Sequence, residues 1–245
     1  MLVTIISVAF NSEATIARTI ESVLNQTYKN IEYIIIDGAS NDKTVEIAKS
    51  YQKQFDGTIG KTLTIISESD KGMYDALNKG ANLSHGELVG QINTDDWYEL
   101  DAVENMVKLY NKEQYDVAWG SIRMCGKREW IKHAHIGFLW TTSGWCHPAM
   151  FSRRDILLQF PYALESMYDD FDFITAVHIA RKKIVTIDKV ISNFSFGIGG
   201  MSTKKSLKEV KRRVEITYSI YKKYNMSIFY YFYRWGYEIA KYLVG

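Results

Sequence analysis

A chain of 245 residues, 47% hydrophobic and 24% charged, has room for one large α/β domain or two small ones and the balance of an ordinary globular protein. Its two cysteines, Cys125 and Cys146, lack C-x-x-C spacing, which excludes a disulfide framework and a cysteine-rich zinc site. The net charge is only +2, yet residues 201–245 carry +7 and residues 1–200 carry −5, so a basic tail follows a mildly acidic body.

Residues 2–9, LVTIISVA, and 31–37, IEYIIID, are near-continuous apolar, β-branched runs, the pattern of parallel strands covered on both faces. Between them Ile16, Ile20, Val23 and Leu24 recur at helical spacing behind Ser12, which predicts a crossover helix with Ser12 as its N-cap. A helix over 44–51, a strand over 62–68, a helix over 73–83 and a strand in ELVGQI, 87–92, continue the rhythm. The expected product is an open, doubly wound sheet. No signal-peptide pattern opens the chain and no apolar run approaches the roughly 20 residues that span a bilayer. A cytoplasmic protein is expected, with any membrane contact peripheral.

Ligands of such sheets sit beyond the carboxyl ends of the strands. Four of those ends are polar here: VAFNSE, DGASND, SESDKGMYDALNKG and NTDD. None carries G-x-G-x-x-G or a P-loop, and FGIGGMS lies too far downstream to serve, so a dinucleotide-binding site is excluded. The fourth end is the most telling. An apolar strand breaks abruptly into Asn93, Thr94, Asp95 and Asp96. Buried charges cost several kcal/mol each unless paired. Adjacent carboxylates are also hard oxygen donors of the kind that Mg²⁺ or Mn²⁺ shares with substrate phosphates. The alternative is a solvated turn that caps a helix starting near Glu99.

The opening VTIISVAFNSEATIARTIESVLNQTYKNIEYIIIDGASNDKTVEIAKSY and the stretch SESDKGMYDALNKGANLSHGELVGQINTDDWY resemble a family 2 glycosyltransferase of the GT-A fold. The likeness returns in islands: HPAMFSRR at 147–154, YDDFDF at 168–173 and GGMS at 199–202. It departs from the family's usual pattern at Thr94, where Ala is more common. The resemblance implies an α/β GT-A architecture, an open, mostly parallel mixed sheet with helices on both faces. Residues 1–205 would form that domain and 206–245 a basic, aromatic helical extension. It implies transfer of a sugar from a nucleotide-diphosphate donor, most often a UDP-sugar, to a hydroxyl of a glycan or lipid-linked acceptor, with inversion at the anomeric carbon.

Residue by residue, the resemblance makes Asp96 the direct ligand of Mn²⁺ or Mg²⁺ and sets Asp95 on the nucleotide ribose or in an orienting role. Asp37 would read the uracil ring, although Asp also favours turns on its own account. Val8, Phe10 and Asn11 would border the same pocket, Lys71 would lie near the pyrophosphate, and Gly199 and Gly200 would let backbone approach the phosphates. Asp170 is the expected general base. Asp169 and Asp172 crowd it, a crowding expected to raise carboxylate pKa values, and Asp172 is next in line for the role. Trp145 and His147 are expected on the acceptor side. A sugar nucleotidyltransferase would need a glycine-rich basic loop after the first strand, which is missing, so the remaining alternative is a catalytically inactive GT-A-like module that binds a nucleotide sugar.

In the tail, Ile228, Phe232, Trp235, Ile239 and Tyr242 share one helical face, with Arg234, Glu238 and Lys241 on a neighbouring stripe. Such a helix can lie on an anionic membrane surface. Packing on the catalytic domain or on the second subunit of a homodimer are the alternatives, and nucleic acid is not an expected partner.

Overall fold

The computed structural model describes residues 1–141, 144–195 and 206–244. Strands β1 (Val3–Ala9), β2 (Ile31–Asp37), β3 (Lys61–Ser67) and β4 (Leu88–Gln91) form a parallel set in the order β3-β2-β1-β4. Every residue of β1 is buried, as the unbroken apolar run requires. The crossovers are α1 (Ile16–Leu24), α2 (Thr44–Ser50) with α3 (Gln52–Asp56), and α4 (Met73–Leu83). Register aligns the carboxyl ends: Ala9 stands beside Asp37, and Asp37 beside Ser67. Three loops therefore open on one edge.

Beyond β4 the sheet becomes mixed. β5 (Trp97–Tyr98), β6 (Val117–Cys125), β7 (Trp130–Lys132), β8 (Met150–Arg153) and β9 (Ile184–Ser195) extend it in the order β4-β8-β6-β9-β5, with β7 on β6. β8 runs antiparallel to both β4 and β6, whereas β6 and β9 are parallel. The remaining helices are α5 (Ala102–Glu113), α6 (Arg154–Gln159), α7 (Asp169–Ile179), α8 (Leu207–Lys223) and α9 (Phe229–Val244).

Two predicted starts shift. α1 begins at Ile16 rather than on a Ser12 cap, because Thr94 Oγ1 donates to the Ser12 hydroxyl at 2.8 Å and the Ser12 carbonyl instead receives Thr15 and Ile16 N–H. No helix starts near Glu99, since Trp97 and Tyr98 pair with Asn193 and Ser192 of β9 and delay α5 to Ala102. The acidic turn thus leads into a strand.

The basic tail folds as two helices. Ser206 caps α8 by accepting the Glu209 N–H at 3.1 Å. Ile220 and Tyr221 join the main core, and the Tyr221 hydroxyl donates to the Trp140 carbonyl at 2.8 Å. α9 folds back on α8 with its polar stripe inward: Arg234 and Glu238 are buried, and Ile228, Phe229, Phe232 and Leu243 are exposed. Trp235 and Ile239 are half-buried. Among the described residues no helix is long and apolar enough to cross a membrane.

Candidate active site

The carboxyl edge of β1–β3 forms the first part of the site. Asn11 adopts the left-handed conformation, φ 49°, and ties two loops together. Its N–H donates to Ser40 Oγ at 2.7 Å, and its Oδ1 accepts the Asn41 N–H at 3.0 Å. Gly38 is needed for close approach, because a Cβ there would lie 2.7 Å from Asp70 Oδ2 and 3.4 Å from the Phe10 ring. Phe10 itself is exposed and Val8 is buried, its carbonyl oxygen 3.2 Å from Thr94 Oγ1. Asp37 is buried and committed to its own turn. Its carboxylate accepts Ser40 N–H, Ser40 Oγ and Ser67 Oγ, the last at 2.6 Å. Lys71 is exposed ahead of α4, its N–H donating to Asp75 Oδ2 at 3.1 Å.

The acidic turn forms the second part. Asp95 is exposed, and its carbonyl accepts Arg18 Nη2 at 2.8 Å and Ser195 Oγ at 2.6 Å. Arg18 is held over the Trp97 ring, 3.6 Å from its centroid. Asp96 is fully buried, and its Oδ1 accepts the Ser195 N–H at 2.9 Å. Its Oδ2 has no hydrogen-bond partner among the described residues. Burial, and then the neighbouring charge of Asp95, push the Asp96 carboxyl well above the usual carboxylate range. A buried carboxylate oxygen lacking a partner beside a second carboxylate fits a divalent cation. Among the described residues no three His, Cys, Asp or Glu side chains converge, so such an ion would complete its shell from substrate phosphates and water.

The third part is a cavity of about 300 Å³ lined by Trp145, His147 and Asp170. Asp170 stands in the first turn of α7 and is fixed from both oxygens. Trp145 Nε1–H donates to Oδ2 at 3.0 Å, while Oδ1 accepts the Phe171 N–H at 2.9 Å and lies 3.2 Å from the Tyr74 hydroxyl. His147 Nε2 lies 3.1 Å from Gln91 Oε1, which also accepts the Tyr162 hydroxyl. With Gln91 as acceptor, Nε2 carries the proton of a neutral ring. Burial holds His147 below its ordinary pKa, opposed by the charge of Asp170. Trp145 is buried edge-on against Trp119 at 5.0 Å, so one side of its ring is spent on packing.

The expected carboxylate crowding does not arise. Asp169 accepts Glu165 N–H and Ser166 N–H and closes the turn before α7. Asp172 accepts Lys223 Nζ at 2.7 Å and lies outside the Asp170 cavity. The cause is helical geometry: residues two apart on α7 point to nearly opposite sides. Asp172 therefore does not join Trp145, His147 and Asp170 at that cavity. Gly199 and Gly200 fall outside the described residues. The sequence reading missed Tyr74, Gln91 and Tyr162, whose only signal is polar or phenolic groups among apolar helix and strand positions. It also missed that Arg213, Arg234, Glu238 and Lys241 line the cavity.

Comparison with known proteins is consistent along the chain. The family model described as "Glycosyl transferase family 2" matches residues 4–185. Glycosyltransferase GlyA of Streptococcus pneumoniae is 30% identical over 134 residues, 55% of this chain and 18% of that protein. A PGL/p-HBAD biosynthesis glycosyltransferase of Mycobacterium bovis is 29% identical over 174 residues, 69% of this chain and 66% of that protein. The putative glycosyltransferase EpsH of Bacillus subtilis is 32% identical over 111 residues, 45% and 31% respectively. The chain thus spans less than two thirds of the length of each of these relatives. Staphylococcus aureus TarS 1–349 in complex with UDP-GlcNAc superposes with a TM-score of 0.70 at 19% identity, covering 90% of this chain and 65% of that one. Mannosyltransferase PcManGT from Pyrobaculum calidifontis, in complex with GDP-Man and Mn²⁺, superposes with a TM-score of 0.68 at 17% identity, covering 90% and 63%. At these identities the solved structures establish the fold. With the family model covering most of the chain, this protein belongs to glycosyl transferase family 2.

Proposed function

We propose that the protein transfers a sugar from a nucleotide-diphosphate donor, a UDP-sugar first, to an acceptor hydroxyl with inversion, using Asp170 as general base. The observation that carries this reading is the end of β9. Ser195 binds both Asp95 and Asp96, and the adjacent Phe194 lines the cavity that holds Asp170. Neighbouring residues of one strand therefore hold the acidic turn and wall the cavity of Asp170.

In this scheme the nucleotide lies in the groove of Val8, Phe10, Asn11 and the turn that Asp37 braces, with Asp95 toward the ribose and Lys71 toward the pyrophosphate. Asp96 would hold Mn²⁺ or Mg²⁺, which supplies positive charge for the departing diphosphate. On the acceptor side, Trp145 and Tyr74 aim the Asp170 carboxylate, and His147 shapes the cavity wall as a neutral ring. The acceptor oxygen gives its proton to Asp170 as it bonds to the anomeric carbon, and the bond from that carbon to the nucleoside diphosphate breaks. Residues 1–205 carry this chemistry and 206–245 close the acceptor side. The alternative, an inactive nucleotide-sugar-binding module, predicts binding without turnover. Incubating the protein with UDP-sugars and GDP-mannose, with and without Mn²⁺, is expected to release nucleotide from at least one donor only when metal is present. Binding without release from any donor favours the inactive module.

The outward face of α9 supports peripheral attachment to the cytoplasmic side of an anionic membrane. Phe229 and Phe232 are more than half exposed, and Lys208, Lys211 and Arg212 on α8 are exposed as well. Each buried Phe contributes about 1.5–3 kcal/mol on leaving water. A Phe229→Ser/Phe232→Ser variant is expected to bind phosphatidylglycerol vesicles at least about tenfold more weakly, with its melting temperature unchanged, in a co-sedimentation assay. If wild-type protein ignores the vesicles and the variant instead turns a dimer into a monomer, that face belongs to a subunit interface.

A further inference from the structure

Two consecutive residues of α1 grip two consecutive carbonyls of the acidic turn. Arg18 Nη2 donates to the Asp95 carbonyl at 2.8 Å, and Thr19 Oγ1 donates to the Asp96 carbonyl at 2.6 Å. Thr19 is buried and Arg18 is exposed. Arg18 Nη2 also donates to Ser195 Oγ at 3.1 Å, and the Ser195 hydroxyl donates to the same Asp95 carbonyl at 2.6 Å. The Trp97 ring seats the guanidinium 3.6 Å from its centroid. Burial raises the Asp95 and Asp96 carboxyls and the charge of Arg18 opposes it, so the guanidinium lies within electrostatic reach of both. Among the described residues it nevertheless pairs with neither carboxylate, and Nη2 gives its hydrogens to a carbonyl and a hydroxyl. An arginine that took a carboxylate oxygen would compete with a cation for it. One that holds the backbone behind the carboxylates leaves them open and fixes where they point.

We propose that Arg18 is a positioning residue for the divalent ion: seated on Trp97, it fixes the Asp95–Asp96 turn for the ion without touching ion or nucleotide. This role rests on Asp96 holding Mn²⁺ or Mg²⁺. Charge and position have opposite signs here. Removing a cation from beside the carboxylates favours Mn²⁺ by charge alone, but Arg18 is exposed and that gain is screened. Loss of a partner that orients a ligand costs about 10–100-fold in metal affinity. Weaker metal binding is therefore the expected net result. UDP is titrated calorimetrically into the full chain at increasing Mn²⁺, and the Mn²⁺ concentration giving half of the metal-dependent gain in UDP affinity is read. Arg18→Gln is expected to raise that midpoint at least about tenfold, with metal-free UDP affinity within about threefold. Trp97→Leu keeps the charge but unseats it, and is expected to raise the midpoint as well. The double variant is expected to go little beyond the larger single effect, because both substitutions undo one contact. Trp97→Leu also keeps the test sound should loss of Arg18 disturb the fold. A midpoint that Arg18→Gln leaves unchanged or lowers overturns the role, as do fully additive effects in the double variant. So does a loss of UDP affinity without metal, because Arg18 is then a nucleotide contact. Wild-type protein whose UDP affinity ignores Mn²⁺ overturns the reading of Asp96 and this role with it.

Discussion

Replacing Asp170 by Asn is expected to lower kcat by roughly 10²-fold or more while donor affinity stays within about threefold. The substitution keeps the size of the side chain and removes only its capacity to take a proton. Its neighbours make the test clean. Phe171 N–H donates to one carboxylate oxygen and Trp145 Nε1–H to the other, so Asn keeps an acceptor for only one of the two and turns its NH₂ to the other. One lost hydrogen bond costs about 1 kcal/mol, too little to unfold a helix start anchored by Asp169. Asp172 is the internal control, since its carboxylate is spent on Lys223. Asp172→Asn is expected to move melting temperature more than kcat. Steady-state kinetics with a UDP-sugar, paired with UDP titration, checks both variants. Collapse of donor affinity with surviving turnover in Asp170→Asn places the base elsewhere.

Replacing Asp96 by Asn is expected to abolish divalent-dependent turnover at every Mn²⁺ concentration. Here the effect on stability runs the other way. In the metal-free protein the Asp96 carboxyl is held well above its ordinary range by burial and by Asp95. A carboxyl with a raised folded-state pKa favours the fold when protonated and disfavours it once pH climbs past its unfolded value, near about 3.9. At neutral pH the metal-free wild type therefore carries a penalty that Asn removes. The variant is expected to melt no lower than wild type without metal, and to lose the stabilisation that UDP with Mn²⁺ gives wild type. Thermal unfolding with and without UDP and Mn²⁺ reads both effects. Wild-type rates at saturating Mn²⁺ would sink the assignment.

Legibility of the sequence followed the physics of each segment. β1, β2 and β4 were readable because burial on both faces writes a nearly unbroken apolar run, and α1 and α4 because one buried face writes a helical period. The acidic turn was readable because two carboxylates after such a run have few innocent explanations. Side-chain direction was not. Asp170 and Asp172 look equivalent in YDDFDF, yet a helix sends one into the cavity and the other to Lys223. α9 stayed open between two readings for a related reason: amphipathic periodicity finds the two faces but not which one turns inward. A salt bridge from Arg213, 25 residues from Glu238, turned the charged face in.

The central claim is that Asp170 activates an oxygen nucleophile opposite the leaving nucleotide. Slow hydrolysis of a UDP-α-sugar with Mn²⁺ tests it without knowledge of the acceptor, because water then takes the acceptor's place. Proton NMR recorded before mutarotation reads the anomer first formed. The account predicts the β-anomer from wild-type protein and loss of that signal in Asp170→Asn. The α-anomer as first product, or a β-anomer formed equally fast without Asp170, contradicts it.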